Sequence, residues 1–202
     1  MYLKNKKNVL LVLLIFFCQQ VFAESPVIML EKAANKVLNA LTVNKEKIKA
    51  KPSVVNAIVH KYIIPEVDVY GMSRSVLGRE DWRSASTKQR KLFTRNFVRL
   101  VVRTYSSALR GYAGEKVVFS PIRGGFEGKR FVKVSSNIMR SGGQNIPISY
   151  SLILKRGQWK VYDMSVEGVS LLQSYRSQFA QYLKESSINE LIVKLKTQQV
   201  KR

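Results

Sequence analysis

The front half of the chain repeats apolar residues at helical spacing. One such stretch runs from Leu30 to Leu41, and a second follows from about Asn44 to His60. Both are typical of amphipathic helices. Pro65 ends this region, and glycines interrupt the segment after it, so we expect shorter elements there. The apolar positions are Leu30, Ala33, Ala34, Val37, Leu38 and Leu41, then Ile48, Val55, Ile58 and Val59.

The pattern from Ser86 to Tyr112 predicts the longest helix. Its apolar positions fall on two adjoining arcs, about twice the ~100° stripe that a surface helix needs. The helix therefore lies between two layers or borders a cavity, and the pattern leaves both readings open. The first arc holds Phe93, Phe97, Leu100, Val101, Thr104 and Ala108, and the second holds Val98, Val102, Tyr105 and Leu109.

The back half reads as strands. The runs EKVVFS, KRFVKVSSNIM, IPISYSLILK and WKVYDMSVE are rich in Val, Ile, Tyr and Phe. Short turns containing glycine separate them, which predicts an antiparallel meander of about four strands. Helical spacing returns from Val169 to Leu183 and again in INELIVKLK. Helices followed by a sheet and more helices indicate an α+β fold with helices over one sheet face.

The N-terminus predicts a secretory signal peptide. Three lysines precede an unbroken apolar run from Val9 to Phe17, and small Ala23 closes the segment. The run is too short for a membrane-spanning helix, which needs about 20 residues. Cys18 suggests a lipoprotein alternative, but Phe17 occupies the position where a lipoprotein signal has a small residue. We therefore expect cleavage after Ala23 and a single domain over 24–202, with 24–112 helical, 113–167 forming the sheet and 168–202 helical.

Removal of this segment changes the chemistry available to the chain. Cys18 leaves, so the mature chain has no cysteine for a disulfide, a nucleophile or a metal site. Three lysines leave and no acid does, so the formal net charge falls from +22 to +19. For an exported protein this charge favours anionic membrane surfaces or acidic proteins over nucleic acid. A basic surface without a partner is the other reading.

Reactive side chains are few. His60 is the one histidine, which excludes a multi-histidine metal site, and we expect no metal or cofactor. Asp163 and Glu167 lie close in sequence, but paired carboxylates must converge on one bond to act as acid and base. A structural role is the first interpretation. A small cone-shaped enzyme of the isomerase type, with Asp163 as base, remains an alternative, and a basic adaptor for membrane surfaces is another.

Two long blocks resemble the MlaC family, also called the toluene-tolerance Ttg2 family. One is LKRGQWKVYDMSVEGVSLLQSYRSQF. The other, from Ile63 to Tyr112, carries a P-x-x-D pattern, L-G before a Trp, A-S-x-x-Q-R, and F-x-x-L-x-x-x-T-Y-x-x-x-L. These patterns fall on Pro65 and Asp68, Leu77, Gly78 and Trp82, Ala85 to Arg90, and Phe97 to Leu109. The likeness spans about Leu30 to Leu195, and departs from the family pattern after Tyr182, where a glycine is more common.

This resemblance implies a periplasmic phospholipid carrier that is not an enzyme. Its fold would be a curved antiparallel sheet wrapped by helices around a hydrophobic cavity, similar to NTF2-like folds. It would act as a monomer, make transient membrane contact, and move lipid between an outer-membrane lipoprotein–porin complex and an inner-membrane ABC transporter with a lipid-binding ring. The pathway would maintain outer-membrane lipid asymmetry.

The apolar patterns supply candidate residues for these roles. A strip of Lys91, Arg95, Arg99 and Arg103, four residues apart, is the candidate docking surface for partners or membranes; a solvated face is the alternative. The lipid-lining candidates are Phe97, Val101, Tyr105, Leu109, Val134, Ile138, Ile148, Tyr150, Leu152, Val161, Val169, Leu172, Tyr175 and Phe179.

Overall fold

The structure, a computed structural model, describes residues 24–140 and 143–197. The predicted signal peptide, with Cys18, lies outside the described residues. Within them, no helix is long and apolar enough to cross a membrane. The helices before the sheet are α1 (Pro26–Val43), α2 (Lys45–Ala50), α3 (Val54–Tyr62), a 3₁₀ turn (Ile64–Glu66), α4 (Val69–Leu77), α5 (Arg79–Ser84) and α6 (Thr87–Arg110).

The long helix predicted from Ser86 to Tyr112 is confirmed as α6. The second predicted helical stretch is instead two helices, α2 and α3. Its break lies at Pro52, whose ring and missing N–H disfavour a helix interior.

The junction between α5 and α6 explains the A-S-x-x-Q-R pattern. Ser86 caps α6 by accepting a hydrogen bond from the Gln89 N–H (3.2 Å), and the Gln89 side chain accepts one from the Ser86 N–H (2.8 Å). The Arg90 side chain then donates to the carbonyls of Trp82 (2.8 Å) and Arg83 (3.0 Å) at the end of α5. The pattern therefore encodes a capped start of α6 and an arginine that hydrogen-bonds to the end of the preceding helix.

A second corner explains the P-x-x-D pattern. Asp68 caps α4 by accepting from the Gly71 N–H at 3.1 Å. Its carboxylate also pairs with Lys155, and its own N–H donates to the Val161 carbonyl (2.8 Å). Asp68 thus fastens the start of α4 to the sheet.

The sheet has five strands in sequential order, joined in antiparallel pairs. The fold class is as expected, with one strand more than the four predicted. The strands are β1 (Lys116–Phe119), β2 (Phe131–Met139), β3 (Ile146–Lys155), β4 (Gln158–Val166) and β5 (Val169–Ser170), and the helices after them are α7 (Leu171–Leu183) and α8 (Ile188–Thr197).

The register places alternate residues of each strand on one inner face. Val134 lies opposite Tyr150, and Val132 lies opposite Leu152. These side chains, with Trp159 and Val161, form a buried cluster that α1 covers through Met29 and Leu30. We call this set the sheet cluster.

Two further buried clusters flank α6. The helical cluster joins Phe93, Phe97 and Leu100 of α6 to α4, α5, α7 and α8. The third cluster joins Val102 of α6 to α1, α2 and α3, with Val98 and Leu109 packed against it. The wide apolar surface of α6 is therefore explained in part by its position between two packed layers.

Candidate functional site

One row of apolar side chains on α6 loses burial toward the end of the helix. Phe97 is 2% exposed, Val101 is half-buried, and Tyr105 is 37% exposed. Phe97 belongs to the helical cluster and Val101 packs against it, whereas Tyr105 belongs to none of the three clusters. The row therefore starts in the core and ends on accessible apolar surface.

A second row, on the inner face of the sheet, shows the same trend. Leu152 and Val134 are fully buried, and Tyr150 beside them is half-buried. Further along the face, Ile148 and Ile138 are half-buried and lie outside the three clusters. The accessible end of this row is the end of β2 and the start of β3.

The two accessible ends are joined by a short segment of the chain. The residues 111–115 connect α6 to β1, where Lys116 pairs with Met139 and Val117 pairs with Ile138. The six steps from Arg110 to Lys116 span at most about 22 Å even when the connection is fully extended. A short connection therefore joins the end of α6 beyond Tyr105 to the Ile138 end of the sheet.

Aromatic rings close the opposite, buried end. Phe97 meets Tyr175 of α7 edge to face, with ring centroids 5.4 Å apart. Phe179 lies 6.0 Å from Phe97 and 5.7 Å from Tyr175. Such geometry is favourable for aromatic pairs. These three candidates pack against one another at the buried end of the α6 row.

Both tyrosines along the rows are held in their neutral form. Burial raises the pKa of Tyr150, and the 3.4 Å hydrogen bond from Ser136 opposes this only in part. Burial, with a smaller effect of the neighbouring Tyr175, raises the pKa of Tyr105. The rows therefore carry no charge of their own at neutral pH, which suits apolar contents.

The other candidates occupy different places. Val161 lies in the sheet cluster, and Leu172 of α7 is half-buried against the helical cluster. Leu109, one turn after Tyr105, packs against the third cluster. Val169 was predicted to lie within a helix, but it belongs to the two-residue strand β5 and is 65% exposed.

Met164 is a residue that simple alternation misses. A bulge on β4 places Val161 opposite Leu152 but Asp163 opposite Ser151, so Tyr162 is an extra residue. Past this bulge, Met164 pairs with Tyr150 and packs against the helical cluster. The signal was available in the sequence, since strict alternation from Val161 would have placed Asp163 on the apolar face.

Asp163 is engaged in fastening β4 to α7. One carboxylate oxygen accepts hydrogen bonds from the N–H groups of Met164 (2.8 Å) and Leu172 (3.0 Å), and the other accepts from the Ser170 hydroxyl (2.7 Å). A general base must reach the proton that it removes. The geometry therefore favours an anchor over the base of the isomerase alternative.

The basic strip lies along an accessible side of α6. Lys91, Arg95 and Arg99 are exposed, and Arg103 is half-buried. None of the first three forms an ion pair with an acid of the described chain. Lys91, Arg95 and Arg99 are available for an anionic surface.

A family model described as "MlaC protein" matches residues 31–197. The chain is 29% identical over 174 residues to the intermembrane phospholipid transport system binding protein MlaC of Haemophilus influenzae, covering 85% of this chain and 80% of the relative. It is 28% identical over 175 residues to the toluene tolerance protein ttg2D of Pseudomonas putida, covering 87% and 80%.

A solved structure shares the fold. It is that of a phospholipid-binding protein from Ralstonia solanacearum in complex with a phospholipid. The TM-score is 0.79 at 24% sequence identity, over 86% of this chain and 96% of that one.

Proposed function

The chain belongs to the MlaC family, and from this premise we propose that it is a periplasmic phospholipid carrier that shelters acyl tails between α6 and the inner face of the sheet. The named relatives support this: one is a binding protein of a phospholipid transport system, and a protein of the same fold holds a phospholipid.

The observation that carries the proposal is the pair of apolar rows. Each begins in a packed cluster, and each ends in less buried apolar side chains toward the α6–β1 connection: Tyr105 on one side, half-buried Ile138 and Ile148 on the other. Concave apolar surface with few polar groups is typical of sites for apolar ligands.

The energetics require enclosure. Exposing acyl chains to water costs about 0.8 kcal/mol per CH₂ group, so two chains with about 30 such groups cost on the order of 24 kcal/mol. A flat patch would leave much of that surface wet. Two facing rows cover the tails from both sides, while the headgroup stays in water and keeps its hydration. Low headgroup selectivity follows.

The proposed lining comprises the fourteen candidates. We expect two of them to contribute less to lipid contact than the others because of their positions. Leu109 packs against the third cluster and Val169 is exposed to solvent, so we expect their contribution to be the smallest. Met164 joins the set because it faces Tyr150 across the sheet. The lined site needs no cofactor or metal and performs no catalysis.

The proposed partners are those that membership of the MlaC family implies. The carrier would receive or deliver lipid at an outer-membrane lipoprotein–porin complex and at an inner-membrane ABC transporter with a lipid-binding ring, and so support outer-membrane lipid asymmetry. The basic strip on α6 is the docking surface for these acidic partners or for membranes. The predicted signal peptide would bring the chain to the periplasm, where it acts as a monomer.

A transfer assay tests the carrier function. A fluorescent phosphatidylcholine moves from donor to acceptor vesicles, with wild type, Ile148→Asn and Val118→Asn compared at equal concentration. Val118 is the matched control, because it lies on the sheet face away from Ile138 and is 53% exposed. Wild type and Val118→Asn should accelerate transfer equally, and Ile148→Asn should be at least about fivefold slower, since a polar amide among tails lacks a partner. Transfer by wild type no faster than without protein would refute the proposal.

A further inference from the structure

A separate cleft of about 520 Å³ lies where α4, α5 and α7 meet. α4 contributes Arg74 and Ser75, α5 contributes Arg79, Trp82 and Arg83, and α7 contributes Arg176, with Gly78 at the junction of α4 and α5. The cleft is thus lined by four arginines, and no acidic residue is among its lining.

These arginines differ from their neighbour Arg90. The guanidinium of Arg90 is used by the fold, since it donates to two carbonyls and lies 5.7 Å above the Trp82 ring. The four cleft arginines are exposed, and none pairs with a carboxylate in the part of the chain that the structure describes. Their donors are therefore available to a ligand.

Gathering four like charges around one cleft is unfavourable unless a counter-charge occupies it. Guanidinium groups bind phosphate oxygens in a planar, bidentate manner, which an exposed lysine does not do. The cleft volume falls in the range of small-molecule sites, about 300–1,000 Å³, and exceeds what a single inorganic phosphate fills. The indole of Trp82 supplies a buried apolar wall.

We propose that this cleft is a phosphate-binding site, suited to a diphosphate or to a phosphate carried on a headgroup. It lies apart from the tail rows: α7 turns Tyr175 toward the helical cluster and the adjacent Arg176 toward the cleft. The proposal therefore does not depend on lipid carriage.

Calorimetric titration with inorganic pyrophosphate, in chloride buffer of low ionic strength, tests it. The site variant is Arg79→Gln with Arg83→Gln, and the control is Lys47→Gln with Lys51→Gln, which removes the same charge from exposed positions at α2. Wild type and the control should bind pyrophosphate saturably at one site. The site variant should bind it at least about tenfold more weakly, because hydrogen bonds to charged groups are lost. Absence of saturable binding, or an equal loss in the control, would overturn the proposal.

Two further arms identify the source of the phosphate. Phosphatidylcholine vesicles with and without phosphatidylglycerol report a lipid-borne phosphate, which is the source if vesicle binding, as well as pyrophosphate binding, falls in the site variant beyond the control. Pyrophosphate binding with equal vesicle binding in both variants identifies a free anion. A hexa-aspartate peptide that binds more tightly than pyrophosphate would overturn the phosphate assignment and identify an acidic protein segment instead.

Discussion

The backbone N–H of Leu172 donates a hydrogen bond of 3.0 Å to the carboxylate of Asp163, and this contact joins the last long strand to the helix at the buried end of the proposed lipid site. The same carboxylate accepts from Met164 and Ser170. Asp163, the acid that most resembled a catalytic group in the sequence, thus joins β4 to the start of α7.

Replacing Asp163 with Ala should therefore lower stability and leave lipid binding in place. Three donors lose their acceptor, and an unsatisfied partly buried donor costs about 1–3 kcal/mol. Urea unfolding should show a free energy of unfolding lower by about that amount. Asp163→Asn keeps one acceptor oxygen, so its free energy of unfolding should lie between those of wild type and Asp163→Ala. A variant as stable as wild type would show that the corner does not depend on this carboxylate.

Gly71→Ala should destabilise the protein, although alanine is normally the better helix residue. A Cβ at position 71 would lie 2.1 Å from Asp68 Oδ2, so the capping carboxylate must move and its pairing with Lys155 is disturbed. Loss of an N-cap costs about 1 kcal/mol, within a range of about 0.5–2 kcal/mol.

Gly111→Ala is the control, because the nearest atom to its added Cβ is 3.5 Å away. Thermal melting should show a lower Tm for Gly71→Ala and an unchanged one for Gly111→Ala. An equal change of Tm in the two variants would contradict the claim that a side chain at position 71 displaces the Asp68 cap.

The helices could be predicted well from the sequence because their signals are local. The caps Ser86 and Gln89 and the apolar arcs of α6 each lie within one helix, and the structure confirms that helix. Its two arcs allowed either two packed layers or a cavity on one side, and which layer each arc meets depends on contacts with α1, α3, α7 and α8, distant in sequence.

The sheet face was harder to predict because one residue reverses its parity. Tyr162 is the extra residue of the β4 bulge, so apolar Met164 rather than Asp163 faces Tyr150. The helix assignment of Val169 was wrong for a similar reason. Val169 and Ser170 pair as a strand before α7, and helical spacing cannot distinguish them from a first helical turn. The Arg-lined cleft has no sequence signal, since it assembles residues from three helices.

Alkaline titration should reveal the two tyrosines along the rows. Because burial raises the pKa of Tyr150 and of Tyr105, the folded state keeps these protons after the unfolded state, with a pKa of about 10, has lost them. Their contribution to stability is complete below about pH 10 and is lost as pH rises through the folded pKa.

Tyrosinate absorbance against pH should therefore show, in the folded protein, a component that titrates at higher pH than free tyrosine. This component should be smaller in Tyr150→Phe and absent in denaturant. A Tyr150→Phe variant that keeps the full component would contradict the burial of this hydroxyl.

The basic strip predicts salt-sensitive binding to anionic vesicles. Arg95→Glu with Arg99→Glu reverses two exposed charges, each worth about 1 kcal/mol near an anionic surface. Vesicle sedimentation should show much weaker binding than for Lys45→Glu with Lys47→Glu, which makes the same charge change on α2. Equal weakening of both variants would indicate that net charge alone, and not this strip, drives association.

The most direct test of lipid carriage is native mass spectrometry of the protein purified from cells without added detergent. The main species should be heavier than the chain by the mass of bound phospholipid, with several headgroups represented. Ile148→Asn should carry less lipid, and Val118→Asn as much as wild type. A wild-type protein that is folded and carries no lipid would contradict the central claim.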